Sequence, residues 1–332
     1  MIDYLKEKKW IILLLAPLYI VILIYTCYRQ DYEIILPGDI TPIVDKVTVE
    51  SNNEQSGSFN SVFVYSLDKT TPFMNKFAKL LYGVVVREMS ESYSLLTLDE
   101  MRTRGKIYYN TGMQYSLIYA FMNTDKYLEY EFDGVLVSYI YKDVILGDLK
   151  IGDKIISVDG NEIDNIEEFI ALIDNIGDEA TFTTERGDVL LKKNTVKENK
   201  VFGFSVRPNY KLISSEPQYK ISKTNTQGSS AGLLQTLSIF NQLTETDYTF
   251  GLKIAGTGTI NEFGYVGPIG AVEQKIITAD RNNVDLFFVA KDNYEDAYNM
   301  ISQINTDMKL VSVEKFSDAI SYLMEFGDKN DE

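Results

Sequence analysis

Trp10 to Cys27 (WIILLLAPLYIVILIYTC) runs 18 residues without a charge, and no other stretch of the chain restricts its possible structures so strongly. That is about the minimum length for a helix to cross a bilayer. Lys6, Lys8 and Lys9 precede the run and only Arg29 follows closely. Basic residues favour the cytoplasmic side, so the pattern predicts a cytoplasmic tail over 1–9, a transmembrane helix over 10–28 and the remainder outside the membrane. Trp10, Tyr25 and Tyr28 mark the two ends, where amphipathic rings favour the interface. A cleaved leader wants a shorter apolar core and small residues before the cut, whereas Ile24-Tyr25-Thr26-Cys27 is bulky. The expectation is a retained single-pass anchor at the cell membrane, with the N-terminus cytoplasmic and the catalytic domain extracytoplasmic.

Composition then removes whole classes of chemistry. A net charge of −16 argues against nucleic acid, whose backbone needs clustered Lys and Arg. The chain has no histidine, which excludes Ser-His-Asp and Cys-His arrangements and histidine zinc sites. One cysteine, Cys27, leaves no disulfide within the chain and no cysteine-rich metal site. No metal and no cofactor is expected, and catalysis is left to Ser, Thr, Lys, Tyr or carboxylates.

Past the apolar run, 44–49 and 61–67 alternate as strands around a polar hairpin loop, Glu50–Asn60. Residues 74–88 and 111–123 have helical character, the second with Met113, Ile118, Phe121 and Met122 on one face. Residues 89–110 are polar and carry no clear period. At 134–195 the pattern changes. GVLVSYI reads as a strand, LKIGDKIISVDGNEI as a strand pair turned at Asp159-Gly160, and NIEEFIALIDNI as a helix with Ile166, Phe169, Ile170 and Ile173 inward. TFTTERGDVLLKKNTV closes the unit as a hairpin around Arg186-Gly187-Asp188. These runs, above all LKIGDKIISVDG, resemble a PDZ module. The resemblance implies that an extended peptide docks along Gly134-Val135-Leu136 as an added strand.

Two short runs near the C-terminus carry the chemistry. In QGSSAGLLQTLSIFNQL (227–243), small residues at 228–232 permit a tight turn into an amphipathic helix whose first turn holds Ser230. Free N–H groups there suit a developing oxyanion. In GTGTINEFGYVGPIGAVEQKIITA (256–279), a glycine-punctuated hairpin leads to a helix carrying Lys275 among Val and Ile. Burial would lower that lysine's pKa and make it a base.

GSSAGL around Ser230 and PIGAVEQK ending in Lys275, 45 positions later, resemble the Lon-type peptidase domain with its G-P-S-A-G-L turn and P-I-G-G-[IVL]-x-x-K run. The resemblance implies Ser230 as nucleophile, Lys275 as general base and Thr257 as the residue holding the lysine amine, with Gly228 and Ala231 shaping the turn. Ser229 stands in place of the usual proline, Gln227 where many members have Asp, and Ala271 in place of a glycine, the last read as a small change. The whole chain resembles the membrane-anchored Lon-like serine proteases with a PDZ module of Gram-positive bacteria. It has no G-x-x-x-x-G-K-[ST] phosphate loop, so the implied activity is ATP-independent endopeptidase action on exported peptides or small membrane or secreted proteins. The family also implies a homo-oligomer, a hexamer.

The expected fold class is therefore α+β: a transmembrane helix, then a Lon-type peptidase domain split by an inserted PDZ-like β-α-β module. The implied parts are 31–130 and 199–326 for the peptidase, 131–198 for the PDZ-like domain and 327–332 as a disordered tail. Ser229 keeps a second reading open, a catalytically inactive PDZ-containing peptide-binding adaptor.

Overall fold

The computed structural model describes residues 9–50 and 53–330. The chain opens with α1 (Lys9–Cys27) and β1 (Tyr32–Pro42), then β2 (Val47–Val49), β3 (Ser58–Asp68), α2 (Pro72–Ala78), β4 (Val85–Glu88) and α3 (Glu91–Ser94). α4 (Leu98–Met122) leads into β5 (Tyr127–Ile140), β6 (Lys154–Val158), β7 (Asn161–Glu162), α5 (Ile166–Asn175), β8 (Glu179–Thr184) and β9 (Gly187–Lys192). β10 (Asn194–Val196), β11 (Asn199–Val201), β12 (Phe204–Glu216) and β13 (Tyr219–Ile221) follow. The C-terminal run is α6 (Gly232–Leu243), β14 (Lys253–Thr257), β15 (Thr259–Ile260), β16 (Val266–Gly267), α7 (Val272–Arg281), β17 (Leu286–Ala290), α8 (Tyr294–Ile301), β18 (Lys309–Val313) and α9 (Phe316–Asn330).

The main sheet has the order β18-β17-β14-β3-β1-β4. β3, β14, β17 and β18 run parallel to one another, and β1 lies antiparallel between β3 and β4. Every residue of β17, LFFVA, is buried, as a parallel strand covered on both faces requires. Leu286 and Phe288 pack with α4, α6 and α9 on one face, while Phe287 and Val289 pack with α7 and α8 on the other. Parallel strands alternating with covering helices make this a mixed α/β fold, which corrects the α+β expectation.

A second sheet, β12-β5-β6-β8-β9 with β7 on β6, holds its own core around Val135, Val137, Ile155, Phe169, Phe182 and Leu191. Its predicted elements form. Asp159 and Gly160 turn β6 into β7 with φ of 49° and 77°, the positive pair that a tight hairpin needs. β8 and β9 pair antiparallel across Arg186. α5 buries Phe169 but leaves Ile170 52% exposed, so Ile170 does not face inward as expected. The sheet continues beyond residue 198, because β12 pairs with β5 as far as Glu216.

Other local expectations change. β2 pairs with β13 and β3 with β1 and β14, so no hairpin joins 44–49 to 61–67. The stretch 74–88 is divided between α2 and β4. Residues 98–110, without a visible period, are the first half of α4. Its start is fixed by a capping box in which Thr97 accepts from the Glu100 N–H and the Glu100 side chain accepts from the Thr97 N–H. Met113, Ile118 and Phe121 are buried, whereas Met122 is exposed. α9 reaches Asn330, so 327–330 is helical rather than a disordered tail, and 331–332 lie outside the described residues.

The N-terminal segment needs the largest correction. Among the described residues no helix is long and apolar enough to cross a membrane. α1 starts at Lys9 and has Pro17 within it, and the side chains of Ile11 and Ile12 lie outside the described residues. The transmembrane helix over 10–28 and the single-pass placement drawn from it are therefore not supported. The tail preceding it, 1–8, lies outside the described residues.

Candidate active site

Ser230 lies in the turn before α6, whose first helical residue is Gly232 and whose N-cap is Ala231, so the serine precedes the first helical turn rather than lying within it. The turn begins at Gly228, with φ +83°, a backbone region that glycine enters without a Cβ penalty. Gly228 N donates to Gly105 O of α4 at 2.8 Å. Gly105 and Gly112, two helical turns apart, share one face of α4. A Cβ on Gly112 would lie 3.0 Å from Ser229 Cβ, and one on Gly105 would lie 2.8 Å from Gln227 Cβ. The two glycines thus form a notch in which the 227–229 turn sits.

On its other side the turn is joined to the end of β14. Gly258 N donates to Ser230 O at 2.9 Å, and Leu233 N donates to Gly258 O at 3.1 Å. Thr257 Oγ1 donates to the same Ser230 carbonyl at 3.1 Å. Among the described residues the N–H groups of Ser229, Ser230 and Ala231 donate to no acceptor, and the Ser230 hydroxyl has no partner. Such N–H groups at a helix start carry partial positive charge and favour an anion.

Lys275 projects from the first turn of α7 into the packing between that helix and the sheet and is 3% exposed. Its Nζ donates to Thr257 Oγ1 at 2.9 Å. Burial alone pushes its pKa down to about 7, since an apolar surrounding penalises the ammonium form. Thr257 therefore bonds both the Lys275 amine and the Ser230 backbone. No hydrogen bond joins Ser230 Oγ directly to Lys275 Nζ among the described residues.

Ala271, the N-cap of α7, has φ 60° and ψ 38°. A left-handed conformation costs a residue with a Cβ about 1–2 kcal/mol, so the replacement of glycine there is not a small change. A second Ser–Lys pair occurs at Lys46 and Ser61, with Nζ donating to Oγ at 2.7 Å. Both are buried, Ser61 to 2% exposure within β3, and no substrate reaches them.

Gly134, Val135 and Leu136 are not where a peptide can add. They lie within β5, which is paired with β12 on one side and β6 on the other. Both rows of backbone groups are already bonded, which corrects the expected docking strand. The outer strands of this sheet are β12 and β9, and Gln114 of α4 bonds both the N–H and the C=O of Tyr210 on β12, leaving the start of β12 open. Sequence reasoning also missed Gly105 and Gly112. The signal was present in the Thr97–Glu100 capping box, which starts a helix early enough to include both glycines.

Residues 220–325 match the Lon protease (S16) C-terminal proteolytic domain, a region that contains Ser230, Thr257 and Lys275. The chain is similar to Lon protease 2 of Borreliella burgdorferi, 28% identical over 148 residues, covering 40% of this chain and 18% of that protein. It is also similar to the Lon protease of Campylobacter jejuni, 27% identical over 141 residues, 42% of this chain and 17% of the relative. The Lon protease of Metamycoplasma arthritidis is 30% identical over 102 residues, 31% of this chain and 12% of that protein. The chain thus spans less than a fifth of the length of these relatives.

Proposed function

We propose that this chain is a serine endopeptidase acting without nucleotide, with Ser230 as nucleophile and Lys275 as general base. The observation that carries the reading is the buried Lys275 amine, whose pKa is pushed down to about 7 and which is tied through Thr257 to the Ser230 turn. The family match over 220–325 supports serine peptidase chemistry, with polypeptides as the substrates. With substrate bound, Ser230 Oγ turns toward Nζ, a contact of the kind that tightens only in the complex. Neutral Lys275 takes the hydroxyl proton as Oγ attacks the peptide carbonyl. Negative charge on the carbonyl oxygen develops beside the unpartnered N–H groups at 229–231, where fixed dipoles stabilise it. The lysine, now an ammonium, gives its proton to the departing amine. Water activated in the same way releases the acyl group from Ser230.

In this reading the second sheet with α5 is a PDZ-like module inserted in the peptidase fold. Its peptide site is the apolar groove of about 660 Å³ between α5 and the start of β12, walled by Phe169, Ile173, Phe202, Phe204 and Val206. An extended segment adds to the start of β12, ahead of the Tyr210 backbone that Gln114 already bonds, its backbone supplying affinity and the groove taking alternate side chains. These 332 residues contain no phosphate loop to drive unfolding, so loose or unfolded polypeptides are the substrates. Association into a ring, as the resemblance implies, is read by mass photometry of the purified chain.

The test is cleavage of a fluorescently labelled unfolded protein without nucleotide. Wild type cleaves it, and Ser230→Ala and Lys275→Ala both fall to background. Retained activity in either variant sinks the dyad.

A further inference from the structure

We propose that a cavity between α3, α4 and the second sheet takes the carboxylate of an acidic residue in a polypeptide laid along the start of β12, an outer strand of that sheet. The proposal rests on the peptide-groove reading above and names which peptides that groove prefers.

The cavity measures about 710 Å³, and Arg104 forms part of its wall. The Arg104 guanidinium lies 4.7 Å from the Tyr108 ring centre and 5.5 and 5.6 Å from those of Tyr93 and Tyr139. Three aromatic faces hold its plane in place. It forms no ion pair among the described residues, and its Nε is buried without a hydrogen-bond partner. The Tyr139 hydroxyl, on a residue 8% exposed, is buried and equally unpartnered. Buried donors normally find an acceptor, and here the two orphans belong to residues of one cavity wall, which Ser90 and Ser205 also line.

The local charge favours a monoanion. Arg207 lies over the same Tyr108 ring at 4.7 Å, outside the cavity wall, with its Nε donating to Thr111 Oγ1 at 3.0 Å. Of the two glutamates on the cavity wall, Glu33 is bonded to Arg87, and Glu88 is exposed at the rim. Those two carboxylates would repel a dianion, while the planar fork of Arg104 with hydroxyl donors matches a single carboxylate.

Geometry links the cavity to a polypeptide. Tyr141 and Ser205 line both this cavity and the apolar groove. Ser205 stands at the start of β12, where an added strand would send successive side chains to opposite faces. One side chain then enters the groove near Phe204, and its neighbour reaches the arginine.

The experiment uses the full chain carrying Ser230→Ala, so that probes stay intact, and fluorescein-labelled Ala/Val heptapeptides read by fluorescence anisotropy. A single Glu is moved through every position, and each peptide has a Gln counterpart. One register of Glu is expected to bind at least about tenfold tighter than its Gln partner. Arg104→Gln abolishes that preference and leaves Gln-peptide binding unchanged. Tyr139→Phe weakens the preference without altering thermal stability, because the hydroxyl bonds nothing in the fold. That variant decides the matter if Arg104→Gln fails to fold by circular dichroism. Equal binding of Glu and Gln peptides overturns the carboxylate pocket while the groove reading stands. No binding by any peptide overturns both. Displacement of the Glu preference by inorganic phosphate at equal concentration would make the cavity a phosphate site and also overturn the proposal.

Discussion

Replacing Lys275 with Met keeps the length of the side chain and removes its charge, and the burial of Nζ sets the size of the effect. Lysine in an unfolded chain titrates near 10.4, whereas Lys275 in the fold titrates at about 7. The folded pKa lies below the unfolded one, so between those values the unfolded chain holds the extra proton and stability rises with pH. Each pKa unit is worth about 1.4 kcal/mol, so wild type gains about that much per pH unit above pH ~7, approaching ~5 kcal/mol across the window. Below pH ~7 both states are protonated and the contribution is flat. Lys275→Met lacks this dependence, and other groups cancel in the difference between the two proteins. Loss of the bond to Thr257 subtracts about 1 kcal/mol at every pH and does not alter the slope. Urea unfolding followed by circular dichroism from pH ~6 to ~9 measures the difference. The Met variant is expected to be the more stable protein at pH ~7 and below, with an advantage that shrinks by about 1.4 kcal/mol per unit above. A difference constant across that range would refute the buried-lysine account. Wild-type kcat/KM should follow the same titration, rising with an apparent pKa near 7 as the amine loses its proton.

Thr257→Val removes the hydroxyl between Lys275 and Ser230 without changing shape, and kcat should fall about a hundredfold with a stability loss of about 1–3 kcal/mol. Thr257→Ser should restore most of both, and a fully active Val variant would show that the tether is idle. Ala271→Gly relieves the left-handed strain but adds unfolded-state entropy, for a net gain of about 0.5–1 kcal/mol in urea unfolding. A net loss would show that the strain is not there. Gly112→Ala places a Cβ 3.0 Å from Ser229 Cβ and moves the serine turn. Activity should drop about tenfold or more while stability changes by less than about 1 kcal/mol, since alanine improves the helix. Unchanged kcat/KM would mean that the turn adjusts freely.

The chain from about residue 150 onward was readable because its signals are local. Asp159-Gly160 sets a turn within four residues, and the run to Lys275 contains both the hairpin and the helix that deliver it. Thr257 as holder of the Lys275 amine was implied by the family resemblance, and its Oγ1 accepts from Nζ at 2.9 Å. What escaped depended on contacts between distant segments. Gly105 and Gly112 look like weak points in a polar helix until the 227–229 turn is placed against them. Gly134–Leu136 read well as a docking strand because sequence shows alternation but not which neighbour occupies each edge. β12 comes some seventy residues later and covers one of those edges. Ala271 looked innocuous because composition does not reveal φ. The apolar run at Trp10–Cys27 carried the strongest single inference, and the described helix did not bear it out.

The burial of Lys275 has one more consequence. A lysine exposed to water is almost wholly protonated near neutrality and abstracts nothing. The amine becomes a base only once α7, β14 and β17 have closed around it. Under the proposed chemistry the chain is therefore harmless while it is being made, and a partly unfolded copy disarms itself. Folding is its activation step, with no propeptide required to hold it in check.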